Sequence, residues 1–240
     1  LTREHGRVHL LARGTYRPRS RTFAILDLFD TLDLSWTQHP RRELGELVEG
    51  QIARRRQAIP GSLAAFRAGT SMLELAHLGS LPGQRDRPLF DLLSSSLDRL
   101  QDRFLAPELT LVLFELGFLA LHGLAPALER CAACGGEAAA TERAPSRAAF
   151  SAGAGGRLCN GCAAEARAAG RRVGTLPLDV LDAAAALSPL ATGPGEPPVL
   201  ESDLLERVRD FIERFLDYHL ETQPRTHQAF LATANRNAPD

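Results

Sequence analysis

Cys131-Ala132-Ala133-Cys134 and Cys159-Asn160-Gly161-Cys162 hold all four cysteines of this chain. Each Cys-x-x-Cys pair brings two thiolates together on one tight turn. Two such turns close a tetrahedron around one soft, redox-inert ion such as Zn²⁺. Gly135-Gly136 and Gly161 let the backbone turn sharply and bring N–H groups near the sulfurs. Four thiolates leave no open coordination position. The expectation is one structural Zn²⁺ per chain on Cys131, Cys134, Cys159 and Cys162, with no chemistry at the metal. Two disulfides, or four unrelated buried thiols, are the competing readings, although a secreted disulfide framework needs a signal peptide and more cysteine.

With 240 residues and 44% hydrophobic content, the chain can bury one large core or two to three small ones. The formal charge is −1, and its distribution is uneven. Residues 1–22 carry Arg3, Arg7, Arg13, Arg17, Arg19 and Arg21 against Glu4 alone. That is a local charge of about +5, which leaves about −6 for the rest. Every basic side chain is arginine, which forks onto phosphate oxygens and stacks on bases in a way lysine cannot. The most apolar run, residues 109–121, is too short to span a bilayer and is interrupted by Thr110, Glu115 and Gly117. No signal peptide is evident, which fits reduced thiols in a cytoplasm. Leu1 stands where an initiator methionine is expected, so the sequence reads as truncated at its N-terminus.

From residue 1 the pattern gives the end of a strand, a tight turn at Arg3-Glu4-His5-Gly6, and a second strand over 7–13. Val8, Leu10 and Ala12 share one face of it. A linker containing Pro18 follows, then a long strand over 23–36. On that strand Asp27 and Asp33 face opposite to Asp30, so they read as solvated or turn-associated carboxylates and not as a metal cluster. Residues 41–57 fit a helix with Leu44, Leu47, Val48 and Ile52 on one stripe and Arg54-Arg55-Arg56 as its solvated end. Further helices are expected over 62–78, with Leu63, Phe66, Met72, Leu73 and Leu75 in the core, and over 88–104. A buried helix runs from Pro107 to near His122. Between Cys134 and Cys159 the alanine- and glycine-rich stretch supports at best a loose two-strand ribbon around Phe150. Then come a helix over 178–187, a linker over 188–198, and a helix capped by Ser202 with Val208, Phe211, Ile212 and Phe215 on its apolar stripe. A last short helix is expected over 225–234.

Enzyme templates are absent: there is no Gly-x-x-x-x-Gly-Lys, no Gly-x-Ser-x-Gly and no His-Glu-x-x-His, and the His-x-Glu of zinc deaminases is missing. No enzyme is expected. His5 and His9 on a hairpin present no metal-binding face. Arginines on a curved strand face, with Tyr16 and Phe23 interleaved, suit a single-stranded nucleic acid groove. An ordinary solvated strand face is the competing reading. The candidate DNA contacts are Arg7, Arg13, Arg17, Arg19 and Arg21.

The order of these parts resembles the RecO family of bacterial DNA-repair and recombination mediators. The stretches that carry the resemblance are Leu1-Thr2-Arg3-Glu4-His5-Gly6-Arg7 running to Ala12-Arg13-Gly14, Asp27-Leu28-Phe29, Pro88-Leu89-Phe90-Asp91-Leu92-Leu93, and Phe114 to Gly117 with Leu124-Ala125-Pro126. Arg130-Cys131 to Gly136, and Phe150-Ser151 with Gly155-Gly156 leading to Leu158-Cys159, complete them. The resemblance implies an α+β multi-domain chain. Its parts would be a partial OB-type β-barrel over 1–37, a mainly helical domain over 38–129 and 165–240, and a four-cysteine zinc module inserted over 130–164. It further implies a cytoplasmic, nucleoid-associated protein that binds single- and double-stranded DNA and anneals complementary strands. With RecR and RecF it would help RecA replace the single-strand-binding protein. The alternative is a helical, zinc-containing adaptor that docks protein partners without binding DNA itself, and no membrane is implied.

Overall fold

The computed structural model describes residues 1–15, 17, 25–39, 41, 44–141, 144–220, 224 and 226. The class is α+β, in two compact units, Leu1–Thr110 and Leu111–Asp240. Among the described residues, no helix is long and apolar enough to cross a membrane.

The first unit begins with the expected tight turn. Thr2 N donates to Gly6 O at 2.7 Å, and Gly6 takes a left-handed φ of 66°. A side chain there would run into the backbone of Gln84, so glycine is required. Three strands follow: β1 (Leu10–Leu11), β2 (Thr31–Thr37) and β3 (Gly45–Arg54), in the order β1-β3-β2. β1 lies parallel to β3, and β2 pairs antiparallel with it.

Three expectations change here, and the first is that the strand expected over 7–13 is confined to Leu10–Leu11. The strand expected over 23–36 begins only at Thr31, because Phe29 and Asp30 turn inward first. The helix expected over 41–57 is the strand β3. Leu47 is buried while Leu44 and Val48 are exposed, so the apparent stripe shares no face. β3 forms backbone ladders on both sides, and this pairing overrides the local i, i+3, i+4 pattern.

The arginine run at the end of β3 is likewise not a solvated helix end. Arg56 is 1% exposed, and each nitrogen of its guanidinium has an acceptor. Nε donates to Asp98 Oδ1 at 2.7 Å, and Nη1 to Phe29 O at 2.6 Å and Thr31 Oγ1 at 2.9 Å. Nη2 donates to Ser94 Oγ at 3.1 Å. The Arg56 backbone N donates to Asp30 Oδ1 at 2.8 Å, while Arg55 pairs with the other Asp30 oxygen. Asp30 is therefore an internal acceptor, not a solvated carboxylate. Asp27 is turn-associated as expected, accepting from Leu28 N.

Helix α1 (Leu63–Gly79) is capped by Ser62, and α2 (Arg87–Asp102) by Asp86, whose carboxylate accepts from Leu89 N at 3.0 Å. They pack together through Ala68, Met72 and Leu75 on α1 and Leu89, Leu93, Leu97 and Leu100 on α2. Leu63 and Phe66, expected in the core, are exposed and half-exposed. The Phe66 ring makes an edge contact at 5.5 Å with buried Phe29.

α3 (Pro107–Leu121) starts on Pro107 and is buried all round from Leu111 to Leu119, as its composition implies. His122 closes it, with Nδ1 2.8 Å from Phe118 O. In the second unit, β4 (Arg147–Ser151), β5 (Gly156–Leu158) and β6 (Gly174–Pro177) form an antiparallel sheet in the order β5-β4-β6. The loose ribbon expected here is thus a sheet completed by a later strand. α4 (Asn160–Ala168) covers it. α5 (Leu178–Thr192) runs through Pro189 into the expected linker, since proline near its last turn removes little helical bonding. α6 (Ser202–His219) packs on α5 and buries Val208, Phe211, Ile212, Phe215 and Leu216. Its N-cap is Glu201, not Ser202. The short helix expected over 225–234 lies outside the described residues apart from Thr226.

Arg56→Ala strips Asp98 of its buried partner and leaves a cavity, and is expected to lower unfolding free energy by about 3 kcal/mol. Arg55→Ala, at an exposed guanidinium, should cost about 1 kcal/mol or less. Urea unfolding of both variants checks this, and equal losses would refute the role given to Arg56.

Candidate metal centre

The first cysteine pair sits on a turn built by its glycines. Gly135 N donates to Cys131 O at 2.8 Å with Gly135 at φ 71°, and Cys131 N donates back to Gly136 O at 2.9 Å. Ala132 N donates to Arg157 O at 2.8 Å, tying the turn to β5. The second pair is placed by a helix. Cys159 is the N-cap of α4, and its Sγ accepts from Cys162 N at 3.5 Å. A helix N-terminus offers its otherwise unpaired N–H groups to the side chain at its cap.

These turns bring all four sulfurs within 4.8 Å of one another, with Cys134 and Cys159 Sγ 3.9 Å apart. A tetrahedron with metal–sulfur bonds of about 2.3 Å has edges of about 3.8 Å, so the donor set fits one ion. The four cysteines are not disulfide-bonded. They form the metal-competent group of His, Cys, Asp and Glu side chains among the described residues.

The thiols do not titrate alike. Burial raises the Cys131 thiol, but backbone N–H groups of Cys159, Cys134 and Ala133 outweigh it and lower the pKa to about 6. Cys162 is pushed up to about 12, by hydrogen bonding to Cys159, then Cys134 and Cys131. The Cys131 thiolate thus forms readily, while Cys162 keeps its proton in hydrogen bonds to the neighbouring sulfurs. A divalent cation would take the place of that proton. The core beneath consists of Cys131, Ala138, Ala149, Leu158 and Ala163, mostly small side chains that bury little apolar area. A core of this size gains from a further staple, and a metal on the four sulfurs would supply one.

Among the described residues, the candidate DNA contacts Arg7, Arg13 and Arg17 differ in their surroundings. Arg7 is half-buried and its Nη1 donates to His77 O at 2.6 Å, so it holds the N-terminal segment to the end of α1. Arg13 is exposed and makes one loose pair with Glu46 at 3.8 Å. Arg17 is exposed beside Gly14. Arg19 and Arg21, with Tyr16 and Phe23, lie outside the described residues. Glu46 escaped notice as a partner because it fell within the expected helix. His5 packs edge-on against Trp36, with ring centroids 5.2 Å apart. The importance of Cys159 as a helix cap had one sequence signal, the run Ala163 to Ala168 after the second pair.

Two family models match the chain. "Recombination protein O N terminal" covers residues 1–56, and "Recombination protein O C terminal" covers residues 60–228. A DNA repair protein RecO of Rhodopirellula baltica is 32% identical over 198 residues, which is 82% of this chain and 69% of that protein. One from Anaeromyxobacter dehalogenans (strain 2CP-C) is 34% identical over 224 residues, covering 92% and 83%. One from Bifidobacterium longum subsp. infantis is 30% identical over 224 residues, covering 92% and 85%.

Titration with Co²⁺ should give thiolate-to-metal charge-transfer bands and tetrahedral visible bands, both lost in Cys134→Ser. Binding should strengthen as pH rises from 6 to 9, because the metal must displace the proton held by Cys162. Below about pH 6 the affinity should fall more steeply, since Cys131 is then protonated as well. A pH-independent affinity would refute thiolate ligation.

Proposed function

We propose that this chain, which belongs to the RecO family, works in DNA repair as a mediator without catalytic turnover. In this reading it binds single- and double-stranded DNA and anneals complementary strands in the cytoplasm, at the nucleoid. With RecR and RecF it helps RecA replace the single-strand-binding protein. The observation that carries the reading is the paired family match, which runs through both the arginine-bearing N-terminal strands and the four-cysteine module.

The physical basis of annealing is electrostatic. Two strands repel, and arginines that replace their counterions remove the repulsion without any covalent step. Arg13 and Arg17 are the described candidates with exposed guanidinium groups, and Arg19 and Arg21 extend the same basic segment. Arg7, engaged with His77 O, contributes by holding that segment in place. Zn²⁺ is the ion proposed for Cys131, Cys134, Cys159 and Cys162, because four thiolates select a soft, tetrahedral, redox-inert cation. It would hold the module together and leave no site for a substrate.

Arg13→Ala with Arg17→Ala should weaken oligonucleotide binding irrespective of sequence. It should also flatten the log affinity against log salt slope by about 1.4, at about 0.7 per lost phosphate contact. Fluorescence anisotropy across a salt series measures both, with circular dichroism to check the fold. Unchanged affinity would remove these arginines from the DNA site. Capture of RecR by a chain with negligible DNA affinity would favour the adaptor reading.

A further inference from the structure

Phe150 on β4 lies between two hollows of the second unit. The first, about 340 Å³, has Phe211 and Phe215 in its floor and Arg147, Arg207 and Arg214 at its rim. It is largely neutralised. Arg147 donates to Thr175, Arg207 pairs with Asp179 at 2.6 Å and with Asp203 at 3.1 Å, and Asp210 adds another carboxylate. The second, about 500 Å³, has a different character. Its wall carries Arg171, Arg172 and Tyr218 and no acidic residue. Both guanidinium groups are exposed, and among the described residues no carboxylate pairs with either.

Tyr218 is 59% exposed although it belongs to α6, whose neighbouring Phe215 and Leu216 are buried. Its hydroxyl end rests over Gly153, where an added Cβ would sit 2.5 Å from Oη. His219 meets the ring edge-on at 5.1 Å. Despite these two contacts more than half of the side chain remains exposed, and it lines the hollow. Unpaired forks for phosphate oxygens beside an open aromatic ring match the repeating unit of a single strand. A duplex hides the base faces that such a ring would stack on. A peptide of acidic residues alone would satisfy the arginines and leave the ring of Tyr218 without a partner.

We infer that the hollow bounded by Arg171, Arg172 and Tyr218 is a second contact for a single nucleic acid strand, independent of the arginines near the N-terminus. The choice of a strand as ligand rests on the DNA-binding reading above. A chain with two strand contacts can hold two strands at once, which annealing requires.

The test uses the full chain loaded with zinc and a bromodeoxyuridine-substituted oligonucleotide. Ultraviolet cross-linking should place adducts on Tyr218 as well as within residues 1–22. Tyr218→Ala should lose about fivefold or more in affinity, while Tyr218→Phe retains it. Arg171→Ala with Arg172→Ala should flatten the salt slope by about 1.4. Adducts confined to residues 1–22, with affinity unchanged in these variants, would overturn the second contact and leave the DNA-binding reading standing. Loss of polyglutamate binding with full retention of oligonucleotide binding would overturn it in favour of an acidic peptide. A parent chain that binds no oligonucleotide would overturn both readings together.

Discussion

Four sulfurs within 4.8 Å of one another cannot all carry charge unless a cation sits among them. Two thiolates about 4 Å apart repel by about 4 kcal/mol even at an effective dielectric constant of about 20. Protons must relieve that repulsion when no metal does, and Cys162 holds its proton in hydrogen bonds to the other sulfurs while Cys131 loses its own readily. The alanine-rich core beneath offers little apolar burial to resist. The second unit therefore has a small-residue core where an ion would do much to hold it.

The cysteine pairs were legible because metal ligation demands residue types at fixed spacing, and neither depends on what lies far away in the chain. Much of the helical part was legible for a similar reason. Ser62 and Pro107 mark helix starts, and Leu89, Leu93, Leu97 and Leu100 repeat on one face, all of it local information. β3 was not legible. Leu44, Leu47, Val48 and Ile52 satisfy a helical template, and only the partners β1 and β2 decide otherwise. β6 was hidden in the same way, since Gly174-Thr175-Leu176-Pro177 carries little strand signal until it lies beside β4.

Arginine has opposite uses in this chain, and composition cannot separate them. Arg56 is an internal tie that joins the end of β3 to α2, and Asp98 is shared between it and Arg54. Arg7 is an anchor for the N-terminal segment. Arg13 and Arg17 keep their charge toward solvent. A run of three arginines looked like the surface end of a helix, yet its last member is among the most deeply buried large side chains. The planar fork makes this possible, because each of its nitrogens can find an acceptor at once.

β4 carries a ladder on each side, β5 toward the cysteines and β6 toward α5. Pro177 ends β6 and caps α5 without a gap, and Leu178 N donates to Ser146 O at 2.9 Å. The four-cysteine segment is for that reason not a cassette. Cutting it out would remove β4 and β5 and leave β6 as a bare edge at the mouth of a helix, open to pairing with another chain. Any shortened version of this fold must cover that edge or give up the strand.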